Sequence, residues 1–160
     1  MKTLKIFIAL LAISISAAQA QFIKAEVQVS GLTCSMCSKA TEKSLRTLPF
    51  ISDIKPDLNR NLFVITFKAN APVNLEQMSK KVQSAGFSIN LLKATLDFDK
   101  LKLSNSRFTY AGNTFHVLND NGKELNGQQP VTVVSKGFAP AATVKKYSPV
   151  AAGTNYQLVI

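Results

Sequence analysis

The sequence predicts an α+β fold: a four-stranded antiparallel sheet carrying two helices on one face, in the order βαββαβ, followed by a small β-rich module. Three observations predict it. Apolar and polar residues alternate strictly over residues 23–30, two amphipathic stretches follow at helical spacing, and beyond about Lys93 turn signals separate short apolar runs.

Residues 1–20 read as a signal peptide, with Lys2 and Lys5 at a basic start, an apolar stretch from Ile6 to Ile15, and Ala18-Gln19-Ala20 as a small-residue cleavage site. The apolar stretch is short of the roughly 20 residues that a membrane span needs. The expectation is therefore a periplasmic or secreted protein, cleaved near Ala20, with no membrane anchor in the mature chain. Neither cysteine lies at the cleavage site, so lipid attachment there is not expected.

The first domain is expected over residues 21–92. Ile23, Ala25, Val27 and Val29 form one face of its first strand, and Lys24, Glu26, Gln28 and Ser30 the other. After a loop at Gly31, the residues Cys37, Ala40, Ser44, Leu45 and Leu48 share a helical stripe, with Lys39, Glu42, Lys43 and Arg46 opposite; Pro49 ends this helix. A second strand spans about Ile51 to Leu58, and its Pro56, which cannot donate to a ladder, assigns it to a sheet edge. Asn59-Arg60-Asn61 turns the chain into a third strand, Leu62 to Lys68. Asn74 is a helix N-cap with Gln77 three residues on, Leu75, Met78, Val82 and Ala85 follow at helical spacing, and Gly86 closes the second helix. A fourth strand starts at about Phe87. With right-handed crossovers, this order of elements gives the predicted sandwich.

Residues 93–160 form the β-rich module, with strands expected near Arg107 to Tyr110, Thr114 to Leu118, Val131 to Ser135 and Tyr156 to Ile160, in a barrel-like arrangement. Turns are expected at Ala111-Gly112-Asn113, Asn119-Asp120-Asn121-Gly122, Asn126-Gly127 and Ala152-Gly153. The second of these is read as a hairpin turn, since it lacks the further acidic positions of a calcium loop. No Pro/Gly/Ser-rich spacer separates the halves, so the fourth strand can run directly from one into the other.

Without Lys2 and Lys5 the chain carries 17 basic and 9 acidic residues, spread over both halves with no arginine-rich run. Nucleic acid is not an expected partner. Two cysteines are too few for a disulfide-stapled scaffold.

Both cysteines lie in Gly31-Leu32-Thr33-Cys34-Ser35-Met36-Cys37, on the turn between strand and helix. Two thiols at the start of a helix can converge on one atom, and the helix N-terminus favours their thiolate forms. Two thiolates satisfy copper(I) or mercury(II), whereas structural zinc needs about four ligands. Gly31 and Thr33 keep the loop small enough for both sulfurs to turn inward. Low coordination leaves room for an incoming thiolate, which permits transfer to a partner by ligand exchange. The competing readings are a redox dithiol and an inert disulfide, and an oxidising compartment would favour a closed bond in an idle pair. Met36 is expected to face solvent. His116, the single histidine, is expected to be structural, and no Ser/His/Asp constellation supports catalysis, so the protein is not expected to be an enzyme.

In Gly31 to Cys37, in Leu48-Pro49 and in Ala85-Gly86-Phe87, residues 23–92 resemble the heavy-metal-associated (HMA) domain, a ferredoxin-like module of copper chaperones, copper-transporting ATPases and periplasmic mercury-binding proteins. The resemblance implies Cys34 and Cys37 as metal ligands, with copper(I) first and mercury(II) second as cargo. It also implies Phe87 as an apolar neighbour of the loop and Leu32 as an anchor where the family commonly has Met. The implied partner is a metal donor or acceptor with CxxC or other thiolate ligands, a membrane transporter among the candidates.

Overall fold

The computed structural model describes residues 20–32, 34–101, 103–122, 124–147 and 155–160. The signal-peptide expectation, apart from Ala20, lies outside these residues, as do Thr33 and the Ala152-Gly153 turn.

The first half runs β1 (Ala20–Ser30), α1 (Ser35–Leu45), β2 (Ile51–Asp57), β3 (Leu62–Phe67), α2 (Leu75–Ser84) and β4 (Ser88–Leu101). The second half continues β5 (Arg107–Tyr110), β6 (Asn113–Val117), β7 (Leu125–Val133), α3 (Ala141–Tyr147) and β8 (Tyr156–Val159). All eight strands belong to one sheet in the order β2-β3-β1-β4-β7-β8-β6-β5. The barrel-like arrangement is thus corrected to a sheet extension: β4 continues past residue 92, and its outer half pairs with β7 from Leu92↔Val133 to Leu101↔Leu125. Pro56 sits on β2 at the sheet edge, as its missing N–H requires.

Several boundaries differ from expectation for local reasons. In β1 the register shifts between Phe22 and Lys24, so Phe22 rather than Ile23 fills the core position; one extra residue re-aims the pleat on one side of the shift. In α1 the buried positions are Ser38, Thr41 and Leu45, while Ala40 is exposed. The polar members of this stripe are accommodated by hydrogen bonding: Thr41 Oγ1 donates to Cys37 O at 3.1 Å. Ser44 Oγ, on the flank, donates to Lys81 O at 2.8 Å and ties α1 to α2. Asn126-Gly127 is not a turn but part of β7, drawn into the ladder by the long β4 partner, with Gly127 at φ 69° beside a register shift. Asn119 to Gly122 does not close a hairpin, because β8 lies between β6 and β7. Ala111 and Gly112 (φ 47° and 77°) do make the tight β5–β6 turn that two left-handed residues favour. The short helix α3 stands where the sequence predicts no regular element.

Both halves share one core. Phe22 lies 6.1 Å from Phe67 on one side, and 5.2 Å from Tyr110 and 6.0 Å from Phe115 on the other, measured between ring centroids. Tyr110 also reaches back to the chain before α2. Its hydroxyl donates to Ala71 O at 2.8 Å and accepts from Val73 N at 3.1 Å.

Candidate metal centre

β1 delivers the chain to Gly31, whose φ of +82° makes the turn that leads into α1. Leu32 is buried beneath the turn, in the anchoring place expected of it. Cys34 has extended backbone angles, φ −139° and ψ 153°, and occupies the N-cap of α1, where its Sγ accepts from Cys37 N at 3.1 Å. A sulfur therefore takes the place that a Ser or Asp oxygen commonly fills, at the positive end of the helix. Ser38 N donates to Cys34 O at 3.1 Å and closes the first turn. The first turn carries no acidic residue, so no carboxylate of that turn opposes negative charge on the sulfurs.

Cys34 and Cys37 are joined as a disulfide, with their Cα atoms 5.3 Å apart. Cys34 is exposed, whereas Cys37 is half-buried and packs against the core. One sulfur therefore faces outward and the other is held by the domain. Met36 projects between them at 79% exposure, directed to solvent as its position suggested. Lys39 and Lys43 are exposed on α1, but Arg46 is engaged: it bonds Glu42 Oε1 at 2.8 Å and Ile54 O at 2.7 Å, and so fixes the end of α1 to β2.

Phe87 lies beside the loop, with Cδ1 3.6 Å from the point a Cβ on Gly31 would occupy. Asn61, predicted from the sequence only as a turn residue, also supports the loop. At φ 51°, with its side-chain amide assigned so that the nitrogen faces these carbonyls, it donates to Leu32 O at 3.0 Å and Leu58 O at 3.3 Å, and its backbone carbonyl accepts from Val29 N at 3.1 Å. An Asn at the end of a turn, able to adopt left-handed angles, was the available signal. His116 is not brought to the cysteines: it stands on β6, four strand positions from β1. Among the described residues no group of three or more His, Cys, Asp or Glu could hold an ion, so the pair has no built-in third ligand of these types there. Two sulfurs that can touch can also converge on one soft ion once reduced, and this donor set fits copper(I) or mercury(II).

The heavy-metal-associated domain family matches residues 26–88. Those residues are a heavy-metal-associated domain. It contains the cysteine loop, helices α1 and α2 and the Asn61 turn, and ends as β4 begins. The chain is 36% identical over 70 residues to a probable copper-transporting ATPase, HMA5, of Arabidopsis thaliana, a stretch covering 44% of this chain and 7% of the ATPase. It is 27% identical over 63 residues to the copper chaperone CopZ of Staphylococcus haemolyticus strain JCSC1435, covering 39% of this chain and 91% of the chaperone. Among solved structures, the copper-binding domain of HMA7, a P-type ATPase, is similar at 29% identity and a TM-score of 0.38, covering 42% of this chain and 92% of that one. These stretches all leave a large part of this chain unmatched. No helix among the described residues is long and apolar enough to cross a membrane.

Proposed function

We propose that the protein is an exported, non-enzymatic soft-metal carrier. In this reading Cys34 and Cys37, once reduced, chelate copper(I) or, as a lesser alternative, mercury(II). The observation that carries the reading is the placement of both sulfurs at the start of α1, one exposed and one held by the core, with no cluster of further ligands among the described residues. The copper relatives support the choice of metal class.

Transfer proceeds by ligand exchange. A partner thiol loses its proton and its sulfur bonds to the ion, while the bond from one of the two cysteines breaks and that thiolate takes up a proton. The exposed Cys34 is the sulfur that an incoming partner reaches first. Opening the Cys34–Cys37 bond beforehand takes two electrons and two protons from a dithiol reductant, which itself becomes a disulfide. Such a partner operates in the periplasm or outside the cell, after cleavage near Ala20.

The experiment is a titration of the reduced protein with copper(I) against a competing chelator. The proposal expects one tight equivalent, lost in Cys34→Ser and in Cys37→Ser. A second reading, an exported thiol–disulfide redox protein, is favoured by the closed Cys34–Cys37 bond. Weak or absent copper(I) binding together with a mildly oxidising reduction potential would select it and reject the carrier.

A further inference from the structure

On β5, β6 and β8, Arg107 pairs in register with His116, and His116 with Gln157. Register partners share a face of the sheet. The opposite face of the same three strands holds the stacked rings of Phe108, Phe115 and Tyr156, with neighbouring centroids 5.1 Å apart. The polar row is therefore a separate surface from the aromatic core.

Among the described residues, three side-chain nitrogens are buried without a hydrogen-bond partner: Arg107 Nε, His116 Nδ1 and Gln157 Nε2. All three belong to this one row. Gln157 is 2% exposed, and its backbone is already committed: its N–H donates to Ser135 Oγ at 2.7 Å and its carbonyl accepts from Val134 N at 2.9 Å. Its side-chain Nε2 is the donor left without a partner. The strands β5, β6 and β8 contain no Asp or Glu. Buried donors are normally matched, and a guanidinium beside an imidazole and an amide, with no carboxylate on these strands, suits an acceptor-rich anion.

We propose that Arg107, His116 and Gln157 form a binding site for a small oxyanion, a carboxylate or a phosphate, on the second half of the chain. Arg107 supplies the charge and its donor fork, Gln157 an amide donor, and His116 a donor at Nδ1. The guanidinium excludes a metal ion from the row. The site is remote in topology from Cys34 and Cys37, since β6 and β8 are separated from β1 by β4 and β7.

His116 is the one histidine in the chain, so its ring resonances in the ¹⁵N-labelled full chain are an unambiguous reporter. Sodium acetate and sodium phosphate are titrated separately at fixed pH and ionic strength, with chloride as the control. The proposal expects a saturable shift of the His116 ring with one of the two anions, and the tighter one tells a planar carboxylate from a tetrahedral phosphate. Arg107→Met should weaken binding about tenfold or more, as loss of a charge-assisted fork implies. Arg107→Lys, which keeps the charge and the fold but not the fork, should fall between. Cys34→Ser should leave the titration unchanged. A non-saturating drift equal to that with chloride, an adventitious ion only, would overturn the proposal, as would wild-type affinity in Arg107→Lys and Arg107→Met.

Discussion

Tyr110→Phe tests whether the two halves stabilise each other. The tyrosine hydroxyl makes two bonds to the segment before α2, to Ala71 O at 2.8 Å and from Val73 N at 3.1 Å. The substitution removes both bonds while keeping the ring against Phe22. Each such bond is worth about 1 kcal/mol net, and the part-buried backbone groups left behind keep the loss from falling lower, so the cost is about 2 kcal/mol. In a domain of this size, 1 kcal/mol moves the melting temperature by about 3–4 °C, which gives a fall of roughly 6–8 °C. Differential scanning calorimetry reads this directly, and urea unfolding should show a lower midpoint with an unchanged slope. A single transition is expected before and after substitution, because the halves share strands and core. A fall of less than about 2 °C, or two separate transitions, would refute the coupling argued from this residue.

Gly31→Ala should destabilise by about 1–2 kcal/mol because of its left-handed φ; Phe87 leaves ordinary contact space for a methyl, so the effect should persist in Phe87→Ala. Chemical denaturation of the single and double variants checks this. Asn74 Oδ1 accepts from Gln77 N at 2.9 Å, and Asn74→Ala should cost about 1 kcal/mol of helix-cap stability, measured by urea unfolding. Burial raises the Tyr110 phenol above its ordinary 10.0, with the Val73 N–H opposing. Burial also raises Tyr156, helped by the Glu76 carboxylate and opposed by the Glu76 backbone N–H. A raised folded-state pKa means that this contribution is whole below about 10 and is lost as pH climbs through the folded value, so thermal stability should drop on the alkaline side. In Tyr110→Phe the drop should be smaller.

Much of the first half was legible because its signals are local. The alternation of β1, the Asn74 cap, Pro56 on the edge and the cysteine spacing each act within a few residues. The Phe22 register shift was hidden, since it is decided by pairing with Leu96 and Thr95, some 70 positions along. The join of the halves was half visible: the missing spacer allowed β4 to continue, but only the partner strand shows why Asn126-Gly127 lies within β7 instead of ending it. The Asn61 bonds were likewise out of reach, because a turn residue and a clamp on Leu32 look alike until the loop is folded beside it. His116 looked structural when considered alone. Its neighbours in the row, Arg107 and Gln157, come from strands that pairing brings together across 50 residues of sequence.

The annexation of the β4 border by β7 has a consequence for self-association. A bare strand margin offers a row of donors and acceptors on which identical chains can stack into fibrils. Among the described residues the two remaining margins are β2, which carries Pro56, and β5, which is four residues long. Concentrated solutions of the folded protein should therefore resist templated cross-β growth.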